Sequence, residues 1–184
     1  MPANLHLTPR WFPHAALAAA WRPGYEGGGL QPWLQAFLYQ LIRAMDLRRV
    51  VELGTWYGYT SAWLAQAVED NGGGEAHFVD LEERHVERTR AAVERLDLKT
   101  TACAFIHKPS VAYLADIPHD MQFVFLDDDK ERVKEKIAMI SQRCARCLVA
   151  IHDAETQSFL RNERAVLLPI PPADGGGDLA LLWA

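Results

Sequence analysis

The residues best placed to do chemistry follow two apolar segments in the second half of the chain. Phe123–Leu126 is followed by three acids and a lysine: Asp127, Asp128, Asp129 and Lys130. Cys147–Ile151 is followed by His152 and Asp153. If both segments are neighbouring parallel strands, their carboxyl ends meet at one edge of a sheet. Asp127 and Asp153 then face one cleft, where carboxylate oxygens suit a hard divalent cation such as Mg²⁺.

Structural roles compete for several of these side chains. Asp128 or Asp129 is also well placed to cap the following helix, which makes Asp127 the acid expected to face the cleft. Lys130 and His152 are candidate bases for removing a proton from an acceptor. His152 is equally interpretable as a structural histidine, because its ordinary pKa does not by itself make it a base.

A glycine-containing turn follows the first apolar strand, in the run from Val51 to Ser61. Gly54 and Gly58 let the backbone turn sharply and approach a ligand, and the next helix offers free amides to a carboxylate. A dinucleotide-binding loop needs glycine where Trp56 stands, which argues against a pyrophosphate and against an NAD-linked oxidoreductase. Asp80 closes the second strand, where an acid can accept hydrogen bonds from ribose hydroxyls.

These segments carry a family resemblance. The run E-L-G-T-x-x-G-Y-T-S, from Glu52 to Ser61, resembles motif I of the class I S-adenosylmethionine-dependent methyltransferases. Its form is similar to that of the small-molecule O-methyltransferases related to catechol O-methyltransferase. F-L-D-x-x-K-x-R, beginning at Phe125, resembles the matching segment of the catechol-type enzymes. I-H-D, ending at Asp153, resembles a broader small-molecule group that carries a His-Asp pair there. By architecture the resemblance covers residues 32–184.

The resemblance implies S-adenosylmethionine as the cofactor and assigns its contacts. The turn would hold the methionine portion, with these residues around it: Glu52, Gly54, Thr55, Gly58, Tyr59 and Ser61. Asp80 would bind the ribose, and Leu81 and Ser110 would contact the adenine. Asp127 is also expected to contact the cofactor. In catechol-type enzymes the acid matching Asp127 binds metal, and the lysine matching Lys130 deprotonates the acceptor hydroxyl.

One departure from the catechol-type pattern bears on the metal. Those enzymes carry Asp-Asn after the fifth strand, whereas Ala154 follows Asp153 here and cannot coordinate an ion. With Asp127 and Asp153 as the two expected ligands, His152 or Asp128 would have to supply a third. Dependence on Mg²⁺ therefore stays open at this point.

The elements that position these residues alternate along the chain. Five apolar strands alternate with helices between Val50 and Ile151, which predicts an α/β fold with a parallel sheet and helices on both faces. Two further β-like runs, Val166–Ile170 and Leu179–Trp183, have no helix between them and predict an antiparallel C-terminal hairpin. The result is a single-domain, Rossmann-like methyltransferase fold on a mostly parallel, seven-stranded sheet.

We expect residues 32–184 to form the S-adenosylmethionine-binding domain, beginning with an amphipathic helix from Pro32. Residues 1–31 are rich in proline and glycine and form a predicted N-terminal arm. The arm includes a short helix near Ala15–Ala20, and its aromatic residues Trp11, Trp21 and Tyr25 are interpretable either as a lid or as ordinary packing.

Composition narrows the class of partner. The formal net charge is −5 and the pI is about 5.8, which disfavours DNA. No apolar run is long enough to cross a membrane. Three cysteines without a signal peptide predict a reduced, cytoplasmic chain. Cys144 and Cys147 form a C-x-x-C pair that we interpret as structural thiols, with redox or metal chemistry as the alternative.

The predicted function is transfer of a methyl group from S-adenosylmethionine to a hydroxyl of a small molecule. The first alternative is a nitrogen or macromolecular acceptor, although the Asn/Asp-Pro-Pro-aromatic segment of base-amine methyltransferases is absent after the fourth strand. The second is a non-catalytic or regulatory protein with the same fold. No motif identifies the acceptor, and the sequence is compatible with a homodimer.

Overall fold

A single sheet organises the chain. The structure, a computed structural model, describes Leu30 and residues 32–154, 165–168 and 178–184. The strands in these residues are β1 (Arg49–Leu53), β2 (Gly74–Asp80), β3 (Thr101–His107), β4 (Phe123–Leu126), β5 (Leu148–Ile151), β6 (Val166–Leu168) and β7 (Leu179–Trp183). Their order across the sheet is β3-β2-β1-β4-β5-β7-β6.

Strand direction in this sheet agrees with the sequence pattern. β1 lies between β2 and β4, and the five strands from β3 to β5 all run parallel. β7 is antiparallel to both β5 and β6. The predicted α/β class with an antiparallel C-terminal pair is therefore confirmed. The strand order reverses between β1 and β4, and open α/β sheets bind ligands beyond the carboxyl ends of the strands at such a point.

Helices cover both faces of the sheet, as predicted. The described helices are α1 (Pro32–Ala44), α2 (Tyr59–Asp70), α3 (Glu83–Glu94), α4 (Ser110–Leu114) and α5 (Val133–Arg143). One buried cluster joins the sheet to α1, α2 and the end of α3, and the other joins it to α4 and α5. Successive β1 residues alternate between the clusters, with Val50 in the first and Val51 in the second. None of the described helices combines the length and apolar character that a membrane span requires.

Two elements differ in extent from the sequence-based expectation. The pattern predicts a strand over residues 77–79, yet β2 spans Gly74–Asp80 because it pairs with β1 on one side and β3 on the other. A helix is predicted from about residue 130, yet α5 begins at Val133. The intervening residues form a turn in which the Asp129 carboxylate accepts a hydrogen bond from the Glu131 amide at 2.8 Å. Neither Asp128 nor Asp129 caps α5.

The C-x-x-C pair is buried between α5 and β5. Cys144 and Cys147 are both free thiols, and burial raises the pKa of each. A raised thiol pKa opposes the thiolate that redox chemistry and metal binding need, which favours the structural interpretation. The predicted N-terminal arm with its short helix and aromatic residues, and the connection between β6 and β7, lie outside the described residues. The division at residue 31 stays a prediction.

Glu69 fixes the turn that leads into β3. Its carboxylate accepts hydrogen bonds from the Lys99 amide at 2.7 Å, from the Thr100 amide and from the Thr101 hydroxyl. Partial burial opposes ionisation, but the hydrogen bonds from Thr101, Lys99 and Thr100 outweigh it and lower the pKa of Glu69 from 4.5 to about 2. The ionised carboxylate therefore contributes stability above pH 4.5 that is lost as the pH falls toward 2.

We expect Glu69→Ala to lower the free energy of unfolding by about 1 kcal/mol at pH 7, discounted for the exposure of the side chain. Urea denaturation at pH 7 and at pH 3 measures it. The difference between wild type and variant should shrink at the lower pH. A difference that is unchanged or larger at pH 3 would show that the charge of Glu69 is not the source of the stability.

Candidate active site

The loop between β1 and α2 approaches the carboxyl end of β4 at contact distance. Gly54 has a φ of +89°, and a Cβ at this position would lie 2.6 Å from the Asp127 carbonyl oxygen. Gly58 precedes α2 with a φ of +76°, and a Cβ there would lie 2.5 Å from the Thr89 Cα. Both glycines are therefore required by close backbone contact as well as by conformation.

Asp80 holds this loop in place from the end of β2. One carboxylate oxygen accepts hydrogen bonds from the amides of Thr55, at 2.8 Å, and Trp56, at 3.2 Å. The other accepts one from the Glu82 amide at 2.9 Å and lies 3.1 Å from Nδ1 of His85. Burial opposes ionisation, but the bonds from the Glu82, Thr55 and Trp56 amides outweigh it and lower the pKa of Asp80. In this structure Asp80 supports the glycine turn, and its predicted bond to a ribose stays a prediction.

Glu52 is a buried acid beneath the turn. Its side chain is 1% exposed and accepts a hydrogen bond from the Ser61 hydroxyl. Burial is the main reason that the pKa of Glu52 lies well above its ordinary value, with the charges of Asp127 and Asp80 adding to it. The Ser61 hydroxyl is therefore engaged by Glu52. The hydroxyl that lines the adjacent cavity belongs to the neighbouring residue, Thr60.

The residues after β4 and β5 form one cluster. Leu126 pairs with Ile151 in the sheet, which sets Asp127 beside His152. Oδ1 of Asp127 lies 2.7 Å from Nδ1 of His152 and 3.3 Å from Nζ of Lys130. Nζ of Lys130 also lies 3.6 Å from an Asp153 oxygen. The predicted convergence of catalytic and metal-binding candidates at the sheet edge is thus present in the geometry.

His152 has one engaged nitrogen and one unengaged nitrogen. Burial would lower the pKa of His152, but its hydrogen bond with Asp127 and the negative charges of Asp127 and Asp153 outweigh burial and raise it. Nε2 is buried and has no hydrogen-bond partner in the part of the chain that the structure describes, although an Asp153 oxygen lies 3.6 Å away, beyond hydrogen-bond distance. A nitrogen of this kind is available to a substrate proton or to a metal ion.

Asp128 belongs to a separate cluster. Its carboxylate accepts a hydrogen bond from Ser110 and lies 2.8 Å from Nζ of Lys136 through each oxygen. Lys136 is 1% exposed and also donates to the Asp129 carbonyl at 2.7 Å. Asp128 is therefore committed to Lys136, and the third donor beside Asp127 and Asp153 is His152.

We expect Lys136→Met to lower the free energy of unfolding by about 2–3 kcal/mol, because it leaves the mostly buried Asp128 carboxylate without its cation. Chemical denaturation measures the change. Lys134→Met, an exposed position of the same helix, is the matched control and should cost less than about 0.5 kcal/mol. Equal losses in the two variants would mean that the buried ion pair has no special role.

A cleft runs across the carboxyl edge of the sheet in two adjoining parts. The first part, about 200 Å³, contains eight of the predicted site residues: Glu52, Gly54, Thr55, Tyr59, Asp127, Lys130, His152 and Asp153. The second, about 340 Å³, contains five: Gly54, Asp80, Leu81, Ser110 and Asp127. Gly54, Trp56 and Asp127 border both. Of the predicted residues, Gly58 and Ser61 border neither part. Gly58 lies close to the Thr89 backbone, and Ser61 donates a hydrogen bond to Glu52.

The sequence analysis missed two polar residues on the wall of the first part, Gln35 and Thr60. The motif contains two adjacent hydroxyl residues, Thr60 and Ser61, and the sequence analysis selected Ser61. Which of the two faces the cleft depends on where α2 begins, which is at Tyr59. Gln35 lies on the face of α1 whose other residues are apolar. A glutamine among Leu34, Leu38 and Ile42 was the available signal.

The family follows from a match over the segment that carries this cleft. Residues 51–154, more than half of the chain, match the protein family described as "Methyltransferase domain". The chain belongs to this methyltransferase family. The match begins in β1 and ends directly after the His152–Asp153 pair, so it includes both the glycine turn and the acidic cluster. No curated protein matches this methyltransferase in sequence.

Solved structures share the fold at low sequence identity. The O-methyltransferase TomG from Streptomyces achromogenes, in complex with SAM, has a TM-score of 0.71 at 17% identity, over 91% of this chain and 88% of its own. An O-methyltransferase from Bacillus cereus, in complex with SAH, has a TM-score of 0.70 at 17% identity, over 91% and 86%. The SAH-bound methyltransferase PaMTH1 from Podospora anserina has 0.71 at 13%, over 93% and 88%. These likenesses establish a methyltransferase fold.

Proposed function

We propose that this methyltransferase transfers a methyl group from S-adenosylmethionine to a hydroxyl of a small molecule. The observation that carries the proposal is the cluster of Asp127, His152 and Lys130 on the wall of the same cleft as the glycine turn. The names of its structural neighbours, O-methyltransferases with SAM or SAH bound, support the donor and the reaction class.

The cofactor would occupy both parts of the cleft. The smaller part adjoins the first turn of α2, whose free amides suit the carboxylate of the methionine portion. The larger part, bordered by Leu81 and Ser110, would take the adenosine. Gly54, Trp56 and Asp127 border both parts. The sulfonium, which joins the methionine portion to the adenosine, would therefore lie near Asp127.

His152 is the base that the geometry supports best. Asp127 engages Nδ1 and so fixes the ring, leaving Nε2 to accept the proton of the acceptor hydroxyl. The hydroxyl oxygen then forms a bond to the methyl carbon as the bond from that carbon to sulfur breaks. The products are the methyl ether, S-adenosylhomocysteine and a proton held on His152. Lys130, held near Asp127 and Asp153, would stabilise negative charge on the oxygen.

The cluster also fits a divalent cation. Asp127, His152 and Asp153 each offer a ligand atom, and these atoms lie within 4.8 Å of one another. The unpartnered Nε2 of His152 is consistent with such use. Two carboxylates with an imidazole suit Mn²⁺ or Zn²⁺ better than Mg²⁺, which prefers oxygen ligands. When bound, the cation would lower the pKa of the acceptor hydroxyl.

The net charge of −5 again disfavours nucleic acid. A homodimer stays a prediction, which light scattering in solution would test.

The experiment that tests the proposal begins with calorimetric titration of the purified protein with S-adenosylmethionine and S-adenosylhomocysteine. We expect one site per chain, and a folded protein that binds neither would overturn the proposal. Formation of S-adenosylhomocysteine is then followed over a panel of small phenols, alcohols and amines. Turnover confined to amines would select a nitrogen acceptor. The same assay after chelation, with Mn²⁺ or Mg²⁺ restored, decides between His152 as a base and His152 as a metal ligand.

A further inference from the structure

Gln35 carries a buried oxygen that nothing in the described structure engages. Its side chain, 2% exposed, lies on α1 and borders the smaller part of the cleft. Nε2 donates to the Leu30 carbonyl at 3.2 Å and to the Thr60 hydroxyl at 3.4 Å. A backbone carbonyl only accepts hydrogen bonds, so the amide nitrogen must face Leu30. That leaves Oε1 buried with no hydrogen-bond partner among the described residues.

A buried acceptor without a donor destabilises a folded protein, and each such group needs a structural explanation. Gln35 is surrounded on α1 by Leu34 and Leu38, which offer no donor. The Thr60 hydroxyl on its other side already receives the Nε2 bond. The missing donor is therefore expected to come from whatever occupies the cleft.

The charges around the cleft indicate what kind of donor this is. Thr60, bonded to Gln35, is followed by Ser61, which donates to the buried carboxyl of Glu52. Glu52 and Gln35 both line the smaller part of the cleft, and each offers an acceptor oxygen there. Of the described residues there, the basic side chains are Lys130 and His152, and both contact Asp127. A cationic group that donates several hydrogen bonds is complementary to this end of the cavity.

We propose that Gln35 is a specificity-determining residue whose Oε1 accepts a hydrogen bond from the α-ammonium of the methionine portion of S-adenosylmethionine. The inference rests on the proposed function, and adds to it a residue outside the motif around the glycine turn. The Glu52 carboxyl is a second acceptor for the same ammonium, while Thr60 and the first turn of α2 face the carboxylate. Gln35 thereby selects ligands that carry the amino-acid head group.

The test compares two ligands on two matched variants. S-adenosylhomocysteine carries the amino-acid head, and 5′-methylthioadenosine has the same adenosine and thioether sulfur without it. We expect Gln35→Leu to weaken binding of S-adenosylhomocysteine by roughly 10- to 100-fold, because a bond to a charged donor is lost. Binding of 5′-methylthioadenosine should change less than about twofold. Gln40→Leu, the same substitution at an exposed position of α1, should affect neither ligand.

Each other outcome has a definite meaning. Equal weakening of both ligands by Gln35→Leu would show a merely structural role and overturn the inference. Unchanged affinity for S-adenosylhomocysteine, with a raised KM for the methyl acceptor, would place Oε1 against the acceptor instead and also overturn it. Wild-type protein that binds neither ligand would reject the proposed function as well. If Gln35→Leu does not fold, Gln35→Met takes its place with the same expected results.

Discussion

We expect Asp127→Asn to lower turnover by about a thousandfold or more. The substitution keeps the shape of the side chain but removes the charge that orients His152 through Nδ1 and holds Lys130 at 3.3 Å. Loss of a positioned acid–base group typically costs 10²–10⁴ in rate, and a metal ligand at the same position would add to that loss. The measurement is S-adenosylhomocysteine formation with the best acceptor from the panel.

The matched control is Asp116→Asn, an acid that borders neither part of the cleft. Its side chain is 80% exposed and lies 3.8 Å from Lys108, so turnover should stay within about twofold. Titration with S-adenosylhomocysteine shows that Asp127→Asn still folds and binds. If Asp127→Asn kept more than a tenth of wild-type turnover, the cluster would not be the catalytic centre.

Gly54→Ala has the largest expected effect on stability. A Cβ at Gly54 would lie 2.6–2.8 Å from backbone atoms of Asp127 and Asp128, so a strand end has to move. We expect a loss of more than about 4 kcal/mol in the free energy of unfolding, the range reached by severe overpacking. Any folded fraction should lose turnover as well, because the displaced segment carries Asp127. Thermal denaturation and the turnover assay measure the two effects.

Gly72→Ala separates conformational strain from steric contact. Gly72 has a φ of +91°, close to the +89° of Gly54, but a Cβ there would meet nothing nearer than the flexible end of Arg48 at 3.6 Å. We expect it to cost only about 1–2 kcal/mol, the penalty for a side chain in left-handed backbone. Similar losses in the two variants would mean that the contact of Gly54 with β4 is not what makes the glycine necessary.

Most of the fold was predictable because it depends on local pattern. Short apolar runs between helices identified the strands, and Phe123–Leu126 and Leu179–Trp183 have the predicted bounds. β2 was predicted too short because its first half is polar. Glu75 lies in the sheet with its carboxylate paired with Arg49 of β1, and His77, at the start of the predicted strand, has the Tyr113 hydroxyl 2.6 Å away. Such partners come from distant segments, which local pattern does not contain.

The site was predictable in its parts but not in its pairings. The sequence indicated that Asp127 and Asp153 share a cleft, but not that the pairing of Leu126 with Ile151 sets His152 directly beside Asp127. Register between parallel strands depends on packing of the whole sheet. For the same reason Asp128 could not be assigned to Lys136, which is the fourth residue of the following helix. Residue types were visible in the sequence, and their partners required the fold.

The position of β7 constrains the order in which the sheet can assemble. β6 precedes β7 along the chain, yet β7 lies between β5 and β6, and β6 pairs only with β7 in the described sheet. β6 therefore joins the sheet only through β7, either after β7 has added to β5 or together with β7 as a hairpin. The parallel strands from β3 to β5, with the entire cleft, can form first. Until β7 is in place, the open side of β5 is an unpaired edge that can mispair with other strands.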